Sequence, residues 1–312
     1  MPENNSSTHD ILIITGPTAS GKTALAAALA CRIKGEIISA DSRQVYRGMD
    51  LGTGKDYDDY LVNGIRIPVH LIDVADPGYK YNVFEYQRDF FRVFNELKTR
   101  NVFPLVCGGS GMYIDSIVSG YSMYEVPPDP LLRKKLEQKS MSELIDILSS
   151  YKKLHNITHI DTKNRVIRAI EIEKYNSSGK VNLAQFPKLK SIIIGVMADR
   201  DKRRRRITER LKQRLDAGMI DEVKRLMENG VSEEVLIYYG LEYKFITLFL
   251  TGSKDYDTMV KELEIAIHQF AKRQMTWFRG MERRGIKIHW IDGELPPDEK
   301  LEIILQLLSK GA

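Results

Sequence analysis

The sequence predicts an α/β fold: a parallel sheet with crossover helices, interrupted by a mostly helical insertion and followed by a helical C-terminal part. Between residues 10 and 120, short apolar runs alternate with helical patterns, as in a doubly wound parallel sheet. The alternation stops at YSMYEVPPDP (121–130), and helical segments follow until an apolar run returns at 189–198. Residues 200–312 are then mainly helical.

The first part of the chain supplies four strands and three helices. In order, we expect the strand ILIIT (11–15), the helix KTALAAALACRI (22–33), a strand in GEIISADS that ends near Asp41, a strand over 65–72, the helix YNVFEYQRDFFRVFNEL (81–97), the strand in VFPLVCGGSG (102–111) and a helix opened by MYIDSIVSG (112–120). The helices are assigned from apolar residues at helical spacing and from runs of Ala and Leu, which favour helix.

The later elements divide the chain into two domains. Helices are expected over 130–138, 142–153 and 163–174, a strand over LKSIIIGVMA (189–198), and a late strand in IKIHWID (286–292). We therefore assign 10–120 and 188–312 to one core, 121–187 to the insertion and 1–9 to a disordered tail. An insertion of this length is compatible with a small subdomain.

Composition indicates a globular cytosolic protein. Apolar residues make up 43% and charged residues 29% of the 312 positions, and no apolar run approaches the roughly 20 residues of a membrane helix. The polar start, MPENNSSTHD, lacks an apolar signal segment. Cys31 and Cys107 have neither CxxC nor His/Cys spacing, so we expect buried small side chains, no disulfide and no zinc. We also expect a monomer.

The strongest motif is GPTASGKT (16–23), which matches G-x-x-x-x-G-K-[ST] between a strand and a helix. Its glycines let backbone N–H groups converge on an anion at a helix N-terminus. Lys22 supplies a cation for terminal phosphate oxygens and Thr23 a hydroxyl for Mg²⁺, so the core is predicted to be P-loop NTPase-like. The residues that this motif predicts to bind phosphate are Gly16, Pro17, Thr18, Ala19, Ser20, Gly21, Lys22 and Thr23.

The loop alone leaves kinase and ATPase readings open. An ATPase usually carries an acidic residue after an apolar strand. The strand in LVCGGSG ends in glycines, and HLIDVAD offers Asp73 as the candidate for such an acid.

Asp41 and Ser110 follow two other strands at the same edge. Ligands of open α/β sheets bind in the crevice outside the carboxyl ends of the strands, so Asp41 should face the phosphates held by Lys22. A carboxylate there can bind metal, accept a proton or cap the next helix. Ser110, in GGSG (108–111), can donate a hydrogen bond into the site.

Six blocks together resemble the tRNA dimethylallyltransferases. They are GPTASGKT, GEIISADSRQVYRGMDLGTGK, HLIDVADP, LVCGGSGMYI, NRVIRAIEI and AKRQMTWFR, in the family's order from about 11 to 290. The resemblance implies transfer of a dimethylallyl group from dimethylallyl diphosphate to N6 of adenine 37, in tRNAs that read codons starting with U. The products are N6-dimethylallyladenosine and pyrophosphate.

The resemblance also assigns roles to residues of the site. Asp41 matches the family's base, Lys22 and Mg²⁺ stabilise the departing diphosphate, and Ser110 stands where the family usually has Thr. Arg206 and Arg210 match the family's RIxxR element in a basic stripe that also contains Arg203 and Arg214. We expect these two arginines to touch diphosphate or RNA backbone; the sequence does not separate the two.

The family's tRNA contacts fall on three parts of this chain. The matching residues are Asp41, Ser42, Arg43, Gln44 and Ser110; Arg133, Asn164, Arg165 and Arg168 in the insertion; and Lys272, Arg273, Gln274, Trp277 and Arg279 near the C-terminus. Cations would hold phosphates, whereas Trp277 either stacks on an unstacked base or belongs to the core. One departure stands out: IYYGLEYKF (237–245) replaces the family's usual IGYKE.

Three other functions are considered. A small-molecule P-loop kinase would need an Arg-rich lid after the core strands, which the sequence does not show. An adenylate prenyltransferase acting on free AMP would have no use for the insertion and the KRQMTWFR block. A non-catalytic RNA-binding protein would not need Lys22, Thr23 and Asp41 together.

Overall fold

The computed structural model describes residues 9–120, 125–151, 162–178 and 186–309. Its main sheet has six strands, all parallel, in the order β5-β2-β6-β1-β7-β8. The strands are β1 (Ile11–Thr15), β2 (Glu36–Ser39), β5 (Val69–His70), β6 (Pro104–Gly108), β7 (Ser191–Met197) and β8 (His289–Asp292). This confirms the predicted parallel-sheet core and the late strand.

Helices cover the central strands. Around the sheet lie α1 (Lys22–Ile33), α2 (Val83–Thr99), α3 (Gly111–Val118), α7 (Arg200–Asp216), α8 (Met219–Glu228), α9 (Glu233–Tyr239), α10 (Leu241–Leu250), α11 (Tyr256–Arg283) and α12 (Pro297–Ser309). Every residue of β1 and β6 is buried, which explains why these strands are continuous apolar runs rather than alternating ones. None of the helices in the described ranges is both long and apolar enough to cross a membrane.

The predicted strand over 65–72 is confirmed only in part, because the structure splits it at Pro68 into two short strands. On one side, β4 (Ile65–Arg66) pairs antiparallel with β3 (Leu61–Val62) in a separate two-stranded sheet. On the other side, β5 (Val69–His70) pairs parallel with β2 in the main sheet. Proline has no backbone N–H to donate, so it marks a break in the ladder while its carbonyl still accepts from Ile37.

The chain divides into two compact units, one of residues 1–120 and 187–312 and the other of residues 121–186. The described helices of the second unit are α4 (Pro130–Glu137), α5 (Met141–Tyr151) and α6 (Lys163–Ser177). They match the predicted helices within a few residues, although 152 and 153 lie outside the described residues, as do 1–8 of the predicted tail. Leu136, Leu144, Leu148, Val166 and Ile170 form its apolar core.

A buried carboxylate holds α4 to α6 in this second unit. Glu171, whose side chain is 1% exposed, accepts two hydrogen bonds from Arg133 at 2.7 Å, and one from Arg168 at 2.9 Å. It also accepts from the Asp129 backbone amide at 2.9 Å. Burial alone would raise the pKa of Glu171, but these donors outweigh burial and lower it below the ordinary value of 4.5.

Replacing Glu171 with alanine should lower the free energy of unfolding by about 2 kcal/mol at pH 7, since Arg133, Arg168 and the Asp129 amide lose their acceptor. A carboxylate with a lowered pKa in the folded state stabilises above its unfolded pKa. The difference between wild type and Glu171→Ala should therefore shrink as pH falls through the folded pKa of Glu171. Urea unfolding at pH 7 and at a series of lower pH values measures both effects; a difference that stays constant over the whole series would contradict this role.

Candidate active site

Three strand ends meet at one edge of the sheet and bring the predicted motifs together. The adjacent strands β2, β6 and β1 run parallel, so their carboxyl ends lie side by side. The phosphate loop (16–23) follows β1, the turn with Asp41 follows β2, and GGSG (108–111) follows β6. Thr15 and Gly108 are joined by a 2.9 Å hydrogen bond from the Thr15 hydroxyl. The three motifs thus lie together at this edge, as the sequence predicts.

The phosphate loop has the backbone shape of an anion cradle. Ala19 and Gly21 adopt left-handed conformations, with φ of 60° and 80°. Gly21 stands at the N-cap of α1, where no side chain caps the helix, so the first amides of α1 keep their positive end toward the loop. A diphosphate is the kind of ligand that such a cradle holds.

Lys22 lies within the site rather than in open solvent. Its Nζ points back to the loop, 3.5 Å from the Pro17 carbonyl oxygen. Burial lowers the pKa of Lys22 below its ordinary value of 10.5; Asp41 opposes this shift, whereas Arg210 and Arg214 add to it. Asp41 and the two arginines are therefore close enough to Lys22 for their charges to act on its ammonium group.

Asp41 holds a tight turn and not a helix. Its Oδ1 accepts from the Arg43 backbone amide at 2.9 Å, and residues 42–45 continue as turns. No described residue hydrogen-bonds to Oδ2. Of the three alternatives for Asp41, the structure does not support the helix cap, and one carboxylate oxygen remains available for a substrate.

The hydroxyl of Ser110 is used within the protein. It accepts from the Ser42 amide at 2.9 Å and donates to the Ser42 hydroxyl at 3.1 Å. Ser110 thus joins the glycine turn after β6 to the turn that carries Asp41. Gln44 is likewise engaged, since its amide nitrogen donates to the Gly54 carbonyl at 3.0 Å. A direct contact of either side chain with substrate stays a prediction.

Arginines of α7 border the phosphate loop. Arg210 and Arg214 both pair with Asp56, and both line a cavity of about 20 Å³ together with Thr18 and Ala19 of the loop. The side chain of Arg214 is only 15% exposed, so it is the more enclosed of the two. Two further cations thus lie beside the phosphate loop, and the contact of Arg210 with diphosphate or RNA stays a prediction.

Arg206 points elsewhere. It pairs with Glu294 at 3.0 Å, and Lys202 pairs with the same carboxylate at 3.0 Å. Its predicted contact with diphosphate or RNA has no support in this arrangement and stays a prediction.

The segment that departs from the family's usual sequence borders the site. Glu242 lines the same cavity as Arg214, and burial raises the pKa of its carboxyl group; Arg214 and the residue's own backbone amide oppose that shift. Tyr238 is 46% exposed and lies 5.7 Å from the Arg43 guanidinium and 5.2 Å from the Lys80 ammonium. The departing segment therefore lies beside both the phosphate loop and the Asp41 turn.

A buried carboxylate on α8 fixes the loop that carries Asp56. Glu222 accepts from the backbone amides of Asp50, Leu51 and Gly52 at 2.9, 2.8 and 3.1 Å. It also accepts from the Tyr243 hydroxyl at 2.7 Å. Four hydrogen bonds to one buried carboxylate thus tie this loop to α8 and α10, and Asp56 of the same loop pairs with two arginines of α7.

Replacing Glu222 with alanine should lower the free energy of unfolding by about 3 kcal/mol, because three backbone amides, among them the buried amide of Gly52, lose their acceptor. Tyr243→Phe, which removes one of the four donors and leaves the amides paired, should cost about 1 kcal/mol. Urea unfolding of the two variants gives the comparison. Equal losses would show that the loop amides are not what Glu222 stabilises.

Helix α11 presents some predicted tRNA-binding residues outward and buries another. Lys272, Arg273 and Arg279 are exposed, and Trp277 is half-buried. Gln274 is buried, and both ends of its amide are engaged: Oε1 accepts from the Thr18 amide at 2.8 Å, and Nε2 donates to the Gly109 carbonyl at 3.0 Å. The structure thus supports accessible cations on α11 and gives Gln274 a different set of partners.

The predicted tRNA-binding residues of the second unit also differ in exposure. Asn164 and Arg165 are exposed on α6. Arg133 and Arg168 are each 39% exposed and are paired with Glu171. Their contacts with tRNA stay predictions.

A magnesium ion at this site would depend on few protein ligands. Across the described residues, no group of three or more His, Cys, Asp or Glu side chains could hold a metal. Thr23, at the start of α1, offers one hydroxyl beside the phosphate cradle. That donor set fits Mg²⁺, which commonly keeps water and phosphate oxygens as most of its ligands.

Sequence reasoning missed Asp56, Glu222 and the opposed charges around Glu242. Arg214 was predicted as part of the basic stripe, but the sequence of the stripe does not show which of its arginines pair with Asp56. The spacing of four between Arg210 and Arg214 predicts that both side chains lie on one face of α7, where they can share one acidic partner.

Comparisons with known proteins agree on one family. The IPP transferase family model matches residues 44–281, and the isopentenyl transferase model matches residues 9–76. The chain is 58% identical over 302 residues to tRNA dimethylallyltransferase 2 of Bacteroides fragilis, covering 97% of this chain and 99% of that protein. It is 56% identical over 301 residues to tRNA dimethylallyltransferase 1 of Parabacteroides distasonis, covering 96% and 98%.

Solved structures give the same picture of the fold. The full-length tRNA isopentenylpyrophosphate transferase of Bacillus halodurans superposes with a TM-score of 0.71 at 30% identity, covering 96% of each chain. A eukaryotic dimethylallyltransferase, studied while acting on tRNA, superposes with a TM-score of 0.75. At 20% identity, with 96% of this chain and 79% of that chain covered, the second likeness concerns the fold alone.

Proposed function

Because the chain belongs to the IPP transferase family, we propose that it transfers a dimethylallyl group from dimethylallyl diphosphate to N6 of adenine 37 in tRNA. It is thus a tRNA prenyltransferase, like the relatives with which it shares more than half of its residues. The tRNAs would be those that read codons starting with U, and the products N6-dimethylallyladenosine and pyrophosphate.

The observation that carries the proposal is the position of Asp41 beside the phosphate loop. In the transfer, a bond forms between N6 and C1 of the dimethylallyl group, and the bond from C1 to the diphosphate oxygen breaks. The proton leaves N6 for the free oxygen of Asp41, which increases the nucleophilicity of a weakly nucleophilic amine. The diphosphate takes the electron pair and remains in the cradle of the loop.

Charge on the leaving diphosphate is stabilised where it develops. Lys22 and the loop amides face the cradle, while Arg210 and Arg214 border it. When bound, Mg²⁺ would neutralise diphosphate charge there, held by the Thr23 hydroxyl. Pairing with Asp56 keeps the two arginines in place before substrate arrives.

The RNA side of the site would use exposed cations and aromatic rings. Lys272, Arg273 and Arg279 supply positive charge on one helix. Tyr238, between Arg43 and Lys80, offers an exposed ring near Asp41 on which a base could stack. The target adenine must leave its stack to reach Asp41, as enzymes that modify bases require.

The test supplies the pure protein with Mg²⁺, labelled dimethylallyl diphosphate and either unmodified tRNA carrying A36-A37-A38 or free AMP. Label at A37 of the tRNA is the expected result. Label in AMP alone would move the chain to the adenylate prenyltransferases, and label in neither would overturn the proposal and favour the P-loop kinase. We also propose a monomer that acts in the cytoplasm; light scattering during gel filtration tests the first point.

A further inference from the structure

The glycine turn after β6, residues 108–111, is a surface against which helix α11 packs. A Cβ on Gly109 would overlap the amide nitrogen of Gln274, and a Cβ on Gly111 would overlap the indole ring of Trp277. A Cβ on Gly108 would instead overlap the Ala40 backbone, which leads into the Asp41 turn. The absent side chains at 109 and 111 thus serve close approach of α11, which reaches the catalytic edge at this point.

Gln274 is the side chain that crosses from α11 to both loops. Its Oε1 accepts from the amide of Thr18, a residue of the phosphate loop 256 positions away, at 2.8 Å. Its Nε2 donates to the carbonyl of Gly109 at 3.0 Å. Because the two ends of one rigid amide are satisfied by two different loops, Gln274 fixes the distance between them.

The Thr18 amide is one of the loop N–H groups that would otherwise converge on an anion. With this amide turned to Gln274, the diphosphate is left to the later amides of the loop and to Lys22. The position of the cradle therefore depends on where α11 lies. The same short stretch of α11 exposes Lys272 and Arg273 on its outer side.

We propose that Gln274 is a positioning residue that locks the phosphate loop to the glycine turn after β6, and that it acts on the diphosphate rather than on tRNA. The proposal deepens, and rests on, the proposed prenyl transfer. The KRQMTWFR block then has two roles by face: its buried side shapes the diphosphate site, and its exposed cations remain available for RNA.

Gln274→Met tests the inference because methionine fills a similar volume and has neither amide group. We expect the KM for dimethylallyl diphosphate to rise, or kcat to fall, by about 10- to 100-fold, since a misplaced loop loses part of its transition-state contacts. The dissociation constant of unmodified tRNA should stay within about 2-fold of wild type. Lys272→Met, two positions away on the exposed side, is the matched control. It should show the reverse: weaker tRNA binding and an unchanged KM for dimethylallyl diphosphate.

Gln274→Glu adds a readout that a merely structural role would not move. A protonated glutamic acid can still accept from Thr18 and donate to Gly109, whereas an ionised one opposes the Gly109 carbonyl and the diphosphate. The kcat/KM of Gln274→Glu, divided by that of wild type, should therefore rise as pH falls. The same ratio for Gln274→Met should not change with pH. If the methionine variant does not fold, the glutamate variant decides alone.

The outcomes separate this inference from the proposed function. An inactive wild type with tRNA and dimethylallyl diphosphate would remove the function itself. An active wild type whose Gln274 variants lose tRNA affinity at unchanged KM would overturn the positioning role and restore the predicted tRNA contact. The positioning role would also be overturned if the kcat/KM of Gln274→Glu, relative to wild type, did not rise at low pH.

Discussion

Replacing Asp41 with asparagine is expected to lower kcat by about 10²- to 10⁴-fold while unmodified tRNA still binds with nearly wild-type affinity. Asparagine keeps the acceptor that holds the Arg43 amide, so the turn should persist. What disappears is the oxygen that takes the N6 proton. The effect should therefore fall on the chemical step rather than on binding.

Single-turnover labelling of A37 with saturating dimethylallyl diphosphate measures this step, and a filter-binding titration with unmodified tRNA measures affinity. Asp76→Asn is the matched control: Asp76 has a side chain that is 78% exposed and pairs with Arg47, and its loss should leave the rate unchanged. If Asp41→Asn turned over at the wild-type rate, Asp41 would not be the base.

The parts of the site that follow strands could be predicted from the sequence. Buried parallel strands are short apolar runs, and the residues directly after them must lie at one edge, so the sequence predicts that GPTASGKT, Asp41 and GGSG lie together. The strand over 65–72 was predicted as one piece because its apolar pattern continues across Pro68, although proline cannot donate to a strand ladder and therefore favours a break there.

The network behind the site could not be predicted in the same way. Gln274 bonds Thr18 across 256 positions, and Glu222 bonds Gly52 across 170. Such contacts depend on how helices dock and leave no local pattern. Sequence resemblance marked Gln274 for its position in a block, but only burial and hydrogen bonds show that its two amide ends face the protein interior.

Replacing Lys22 with methionine is expected to lower kcat/KM for dimethylallyl diphosphate by about 10²- to 10³-fold, the usual loss when one preorganised charge-stabilising donor is removed. Lys98→Met, on the exposed side of α2, is the control for the loss of a positive charge elsewhere in the protein. Steady-state kinetics with saturating tRNA provides the comparison. Equal kinetics for the two variants would show that Lys22 does not contact the leaving group.

The lowered pKa of Lys22 adds a pH signature to this prediction. Burial, with added repulsion from Arg210 and Arg214, brings the pKa of the free enzyme's ammonium below the ordinary 10.5. The charge that attracts diphosphate is present below that lowered pKa and is lost as pH rises through it. The KM for dimethylallyl diphosphate should therefore rise in alkaline solution, at a pH where an ordinary lysine is still charged.

In Lys22→Arg, the guanidinium remains charged at every accessible pH, so the alkaline rise should disappear even if the absolute KM is higher. An identical alkaline rise in both proteins would assign it to another group.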